Sequence, residues 1–431
     1  TFGLKLEGSG LPNLRVLRFP SLYSDCPFLD VNLLKQVPVS VIKELVQASP
    51  RLQHLYGTCS TESLEFLFPL KNTILNDLIF QPLVDPLDSV LKLALAEPKL
   101  KRLRFSTRIH ADNSPRFDEM TGSQVDKVAQ ILTLLLQSSQ DTLETFSADN
   151  LDLLLMAHKW NVPALRNVRE LNLTQVISYI YDVEGYPTLC KFEWDRYFPN
   201  LNQVWVTDSY FITDDYIRDF YISPAIRQSL VNYSCGTVTK ITIEATCYLR
   251  EEEFDLTSLR VLFPNAKELV VDYNTRFYPI FAHIFTGWND LERLIIKFRR
   301  LESIYFNIDD YFLGVSKEEV KFISRHIDQL DSLEIVPQYP CLLSFPKLTK
   351  LEVHLKHDGY LCNGYVKPRN SIFISQLTPK CVFHRLPNLD VQIHRRLCCE
   401  KDSCHLALNH LKPFVSVVNR KDSEFLRTSK D

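Results

Sequence analysis

The sequence predicts an α/β solenoid, a curved, irregular array with short parallel strands along its concave side and helices along its convex side. Three observations predict it. The pattern apolar-x-x-apolar-x-apolar recurs about a dozen times. The clearest copies are Leu14-Leu17-Phe19, Leu100-Leu103-Phe105, Leu201-Val204-Val206, Leu291-Leu294-Ile296, Leu330-Leu333-Ile335 and Leu348-Leu351-Val353. The residues between those apolar positions are mostly polar, and the segments between copies carry helix signals. A motif that returns every few tens of residues marks units that pack on their neighbours, so that the core grows lengthwise.

The strands follow from alternation. Positions four and six of each copy share one face of a strand, which puts positions three, five and seven on the other. Those off-positions read Arg102, Arg104, Ser106; Lys240, Thr242, Glu244; Glu268, Val270, Asp272; and Lys350, Glu352, His354. One face is expected to be dry and the other wet. Trp205 is an exception on the wet face, where an indole calls for a covering loop or a ligand. Leu52-Leu55-Gly57 and the frayed Leu389-Asp390-Val391-Gln392-Ile393 are weaker copies.

Helices are expected between the strands. Asp85-Pro86 supplies an N-cap and a first-turn proline ahead of Leu87, Val90 and Leu91. Val125, Val128, Ile131, Leu132 and Leu135 form an apolar stripe at helical spacing. Ser316-Lys317-Glu318-Glu319 is a capping box, followed by Val320, Ile323, Ile327 and Leu330. Phrases such as Leu-Pro-Asn-Leu and Phe-Pro-Lys-Leu then break the helix and direct the chain into the next strand.

Composition narrows the function. With 45% hydrophobic and 23% charged residues, the 431-residue chain has the make-up of an ordered protein. Its 11 glycines are few, which favours continuous architecture over linked domains. A net charge of −3 argues against nucleic acid as the partner, and no apolar run approaches the ~20 residues that span a bilayer. The 11 cysteines form no regular framework and read as reduced thiols of a cytoplasmic or nuclear protein. Two sequons, Asn172-Leu173-Thr174 and Asn232-Tyr233-Ser234, point toward secretion, but Asn172 falls inside an expected strand.

These strand-helix units resemble leucine-rich repeats, from Leu14 to Val353, with Leu389–Ile393 as a worn copy. Their long and uneven spacing is similar to that of the repeat half of F-box/leucine-rich-repeat proteins. The family's Asn or Cys after the strand is nearly missing; Asn274 fits and Cys247 falls one residue late, which predicts irregular turns. The resemblance implies a substrate-binding array, with a separate F-box docking a ubiquitin-ligase adaptor. Residues 1–395 are expected to form the array, with aromatic-acidic insertions near 175–221, and residues 396–431 a C-terminal helical cap and tail. Thr1-Phe2-Gly3-Leu4 lacks an initiator Met and Leu4-Lys5-Leu6 already reads as strand, so a preceding domain is expected, an F-box if the resemblance holds.

Searches for catalytic motifs find no dinucleotide or phosphate loop, no His-Glu-x-x-His and no Gly-x-Ser-x-Gly. The chain is therefore expected to be no enzyme and to need no cofactor. Cys398, Cys399, Cys404 and His405, with Cys381 and His394, could ligate zinc or pair as disulfides, but their spacing matches no standard finger and no metal is assigned to them. The segment from Gln175 to Tyr221 carries eight acids against three bases, whereas the chain from Lys356 onward carries 13 bases against 7 acids. Aromatics flanked by charge suit a protein partner. The residues expected to read it on the concave face are Arg102, Arg104, Trp205, Lys240, Glu244, Glu268, Asp272, Arg293, Lys297 and His354. A sensing region of an immune-type receptor and an extracellular adhesion ectodomain are the alternatives.

Overall fold

Several repeats open on a four-residue turn written by the proline phrases. The amide of Leu14 donates to the carbonyl of Leu11, Leu201 to Phe198, Ala266 to Phe263 and Leu348 to Phe345, at 3.1–3.2 Å. Pro12, Pro199, Pro264 and Pro346 occupy the second position, where a fixed φ is already suited to such a turn. The same bond closes without proline at Leu165 to Val168 and Trp288 to Leu291. In these six copies the strand begins two residues later, so they start from the same local geometry.

The computed structural model describes residues 10–18, 39–56, 74–80, 87–105, 122–148, 162–174, 194–208, 234–245, 260, 262–273, 288–298, 306–307, 312–326, 337–338, 341–356, 372–373, 381–382, 386, 388–396 and 416–420. The chain divides into two compact units, Thr1–Asn202 and Gln203–Asp431. The first holds β1 (Val16–Arg18), α1 (Val39–Gln47), β2 (His54–Tyr56), β3 (Ile74–Phe80), α2 (Leu87–Leu95), β4 (Lys99–Phe105), α3 (Gly122–Ser138), β5 (Thr145–Ala148), β6 (Glu170–Thr174) and α4 (Trp194–Tyr197). Its six strands pair in chain order and in parallel. The second unit holds β7 (Gln203–Asp208), β8 (Lys240–Ala245), β9 (Glu268–Tyr273), β10 (Arg293–Phe298), β11 (Phe306–Asn307), α5 (Lys317–Arg325), β12 (Lys350–Lys356), β13 (Ile372–Phe373), β14 (Asp390–Arg396) and β15 (Ser416–Arg420). There β7, β8, β9, β10, β12, β14 and β15 form a parallel ladder, and β11 pairs separately with β13. The architecture is α/β, with few helices.

The core is made of the motif positions. Leu100, Leu103 and Phe105, and likewise Leu291, Leu294 and Ile296, are sealed from solvent. Aromatic rings fill the layer between neighbouring copies: Phe80 meets Phe105 edge-on at 5.5 Å, and Phe146 stacks near Phe198 at 6.4 Å. At the first strand, Leu14 and Leu17 are only half-buried.

The helices match their stripes. In α3, Val128, Ile131, Leu132 and Leu135 are buried. Ser139, just past its end, ties it to β4, accepting from the Leu100 amide and donating to the Pro98 carbonyl. Lys127 of α3 pairs with Asp88 of α2. The capping box at α5 forms as expected: Ser316 Oγ accepts from the Glu319 amide, and the Glu319 carboxylate accepts from the Ser316 amide at 2.9 Å. Val320 and Ile323 are buried; the helix stops at Arg325, and Ile327 and Leu330 lie outside the described residues.

The Leu330-Leu333-Ile335 copy lies outside the described residues. One expectation changes: the array does not stop at residue 395. β14 runs to Arg396, and Ser416–Arg420 is a strand paired to it, where a helical cap was expected. Alternation in Val415, Val417 and Asn419 was too short to register as a copy, whereas the neighbouring strand supplies a template of backbone groups.

Candidate functional site

Because the strands of the second unit pair in register, their off-positions line up across the sheet in rows. The first row is Gln203, Lys240, Glu268, Arg293, Lys350, Asp390. The next is Trp205, Thr242, Val270, Ile295, Glu352, Gln392, and the third is Thr207, Glu244, Asp272, Lys297, His354, His394.

Charges in these rows satisfy one another. Lys240 Nζ lies 3.2 Å from one oxygen of Glu268, and Arg293 Nη1 lies 3.2 Å from the other. Arg293 also reaches diagonally to Glu352 Oε1, at 2.5 Å from Nη2, and Lys350 Nζ lies 2.9 Å from the same oxygen. The second oxygen, Oε2, faces two imidazoles: His354 Nε2 at 3.3 Å and His394 Nε2 at 3.5 Å. The two rings stack at 4.4 Å, as expected of residues directly opposite in register.

Burial sets the charge states. For Glu352, burial alone would raise the carboxyl, but hydrogen bonds from Lys350, Arg293 and His354 outweigh it and hold the group at about 2. Burial, then the neighbouring His394 ring, pushes His354 down to about 4 against the partly offsetting hydrogen bond to Glu352. At pH 7 a carboxylate therefore faces a neutral imidazole. Arg293 is held above its ordinary value: burial works against it, and Glu352 and Glu268 overcome that.

The expected reading residues are thus spread over two units. In the first, Arg102 and Arg104 are exposed on β4, flanking the buried Leu103, in register with Thr145 and Ser147 of β5. In the second, Lys240, Glu244, Glu268, Arg293, Lys297 and His354 are half-buried. Asp272 is 1% exposed and cannot meet a partner in this structure, which corrects the expectation for it. The wet face is also corrected here, since Thr242, Val270, Ile295, Glu352 and His394 are buried as well. Val270 and Ile295 adjoin in one row between rows of long charged side chains, whose stems cover apolar surface while their heads pair. Trp205 is half-buried on β7, its indole N–H enclosed without an acceptor among the described residues.

Of the aromatic-acidic stretch, Trp194 and Tyr197 are core and the rest lies mostly outside the described residues. Cys398, Cys399, Cys404 and His405 lie outside them too, as do Asn274 and Cys247. The sequence reading missed the grouping of Glu352, His354 and His394. The signal was available, since His354 and His394 occupy the same off-position in consecutive copies, but His394 was grouped with the cysteines. No protein-family model and no curated protein matches this chain.

Proposed function

We propose that this chain is a non-enzymatic protein-recognition scaffold, the substrate-binding region of an F-box-type ubiquitin ligase receptor. In this reading it is a leucine-rich-repeat-like solenoid acting in the cytoplasm or nucleus. The observation that carries the reading is the in-register ladder. Repeated strands with a common core face hold chemically different off-face side chains at fixed spacing, which is the way repeat arrays present a surface. Arg102 and Arg104 are the exposed pair best placed to meet an acidic segment of a substrate. Cys235, Cys341 and Cys381 are buried and form no disulfide, which suits a reducing compartment. Among the described residues no helix is long and apolar enough to cross a membrane.

Proximity labelling in cells that express the protein from its native coding sequence tests this. A ubiquitin-ligase adaptor should be labelled. At least one labelled protein should lose its association with an Arg102→Glu/Arg104→Glu variant and persist longer when the chain is depleted. Absence of any adaptor refutes the ligase assignment, and partners indifferent to the double charge reversal refute the surface.

A further inference from the structure

The second unit brings together a donor set of which His354 alone is among the residues expected to read a partner. Glu352 and His354 project from the same face of β12, two residues apart, and His394 stands opposite His354 on β14. Their donor atoms, a carboxylate oxygen and two imidazole nitrogens, lie within 4.8 Å of one another. Donors bound at about 2.0–2.1 Å in a tetrahedron around one zinc ion lie about 3.3 Å apart. Two of the three edges here already have that length, 3.3 Å from Glu352 Oε2 to His354 Nε2 and 3.5 Å to His394 Nε2.

The carboxylate is also oriented for the task. Arg293 and Lys350 hold Oε1 and so turn Oε2 toward the rings, the kind of outer support that fixes ligating groups in metal sites. Both histidines sit on strands and are largely enclosed, with His354 the more accessible. Two imidazoles with one carboxylate suit zinc and its transition-metal neighbours, whereas magnesium and calcium prefer oxygen donors throughout. Charges of both signs surround the group: Arg293 and Lys350 pair with Glu352, Arg293 also with Glu268, and Lys297 stands in register with Asp272.

We infer that Glu352, His354 and His394 bind one zinc-class divalent ion, with a fourth position left to water or an external donor. The ion would cross-link β12 to β14. The two rings now stack at 22° with their nitrogens side by side, so coordination turns them toward a common point and moves the His354 proton to Nδ1.

The test uses the full chain, stripped with chelator and dialysed against micromolar zinc in the presence of excess magnesium. Bound metal is counted by elemental analysis, and unfolding temperature is followed with and without zinc. The expected result is uptake of zinc that raises the unfolding temperature. His354→Gln and His394→Gln should each weaken that uptake by roughly tenfold or more and abolish the stabilisation. Cobalt as a spectroscopic probe should give a nitrogen/oxygen spectrum without a thiolate charge-transfer band at this site. No zinc uptake by the native chain overturns the proposal, as does uptake unchanged in both glutamine variants or a thiolate band accounting for all of the metal. His354 is the more accessible of the two rings, so His354→Gln remains a test if the His394 variant unfolds.

Discussion

Single side chains set the regularity of this protein, most clearly at the turn asparagines. Asn167 donates through Nδ2 to the carbonyl of Asp141, Asn200 to that of Arg166 and Asn265 to that of Gly236, at 2.6–2.9 Å. In each case the residue before the motif bonds the turn of the preceding copy. Asn200→Ala should therefore cost about 1 kcal/mol, read from urea midpoints, with Asn200→Asp no better because it lacks the donor. Trp205→Phe removes an enclosed N–H that has no acceptor among the described residues, and should leave stability unchanged or raise it. A large loss in that variant would show that the indole is bonded. Cys341 yields a pH prediction. Burial pushes its thiol above the ordinary value of 9.0, so its contribution is complete below pH 9 and is lost as the pH rises toward the higher folded value. The stability difference between the native chain and Cys341→Ala should shrink from pH 8 to pH 10.

At the scale of elements, local signals and register carry different information. Ser316→Ala should destabilise α5 by about 1 kcal/mol, seen as faster amide exchange at Val320 and Ile323, because the Ser316 oxygen serves the Glu319 amide. That helix, α3 and the motif strands were legible because their determinants lie within a few residues of one another. β15 was not, since it owes its conformation to pairing with β14 rather than to its own pattern. The turns after the strands, where irregularity is expected, lie outside the described residues at Cys247 and Asn274. Before the strands, asparagines bridge neighbouring turns. At the candidate site, alternation placed Glu352 and His354 on the off-face. Only register across two strands joined His394 to them, and only three-dimensional crowding buried Asp272.

At the scale of the whole molecule, each unit is held by nearest-neighbour contacts along its ladder. Leu351→Ala on β12 should cost about 2–5 kcal/mol, the range for a buried leucine, since Leu351 is fully enclosed. Amide exchange should rise on β10 and β14, which pair with β12, before it rises on β7. Uniform exchange across that ladder would show that the second unit opens as one body. The proline turn before β1, β7, β9 and β12 recurs without proline before β6 and β10. It fixes alignment within four residues and leaves the return path to the next copy under no metric constraint. Return segments of unequal length can therefore be exchanged between copies without disturbing strand alignment. A chain organised in this way can change its surface by insertion and deletion as readily as by substitution.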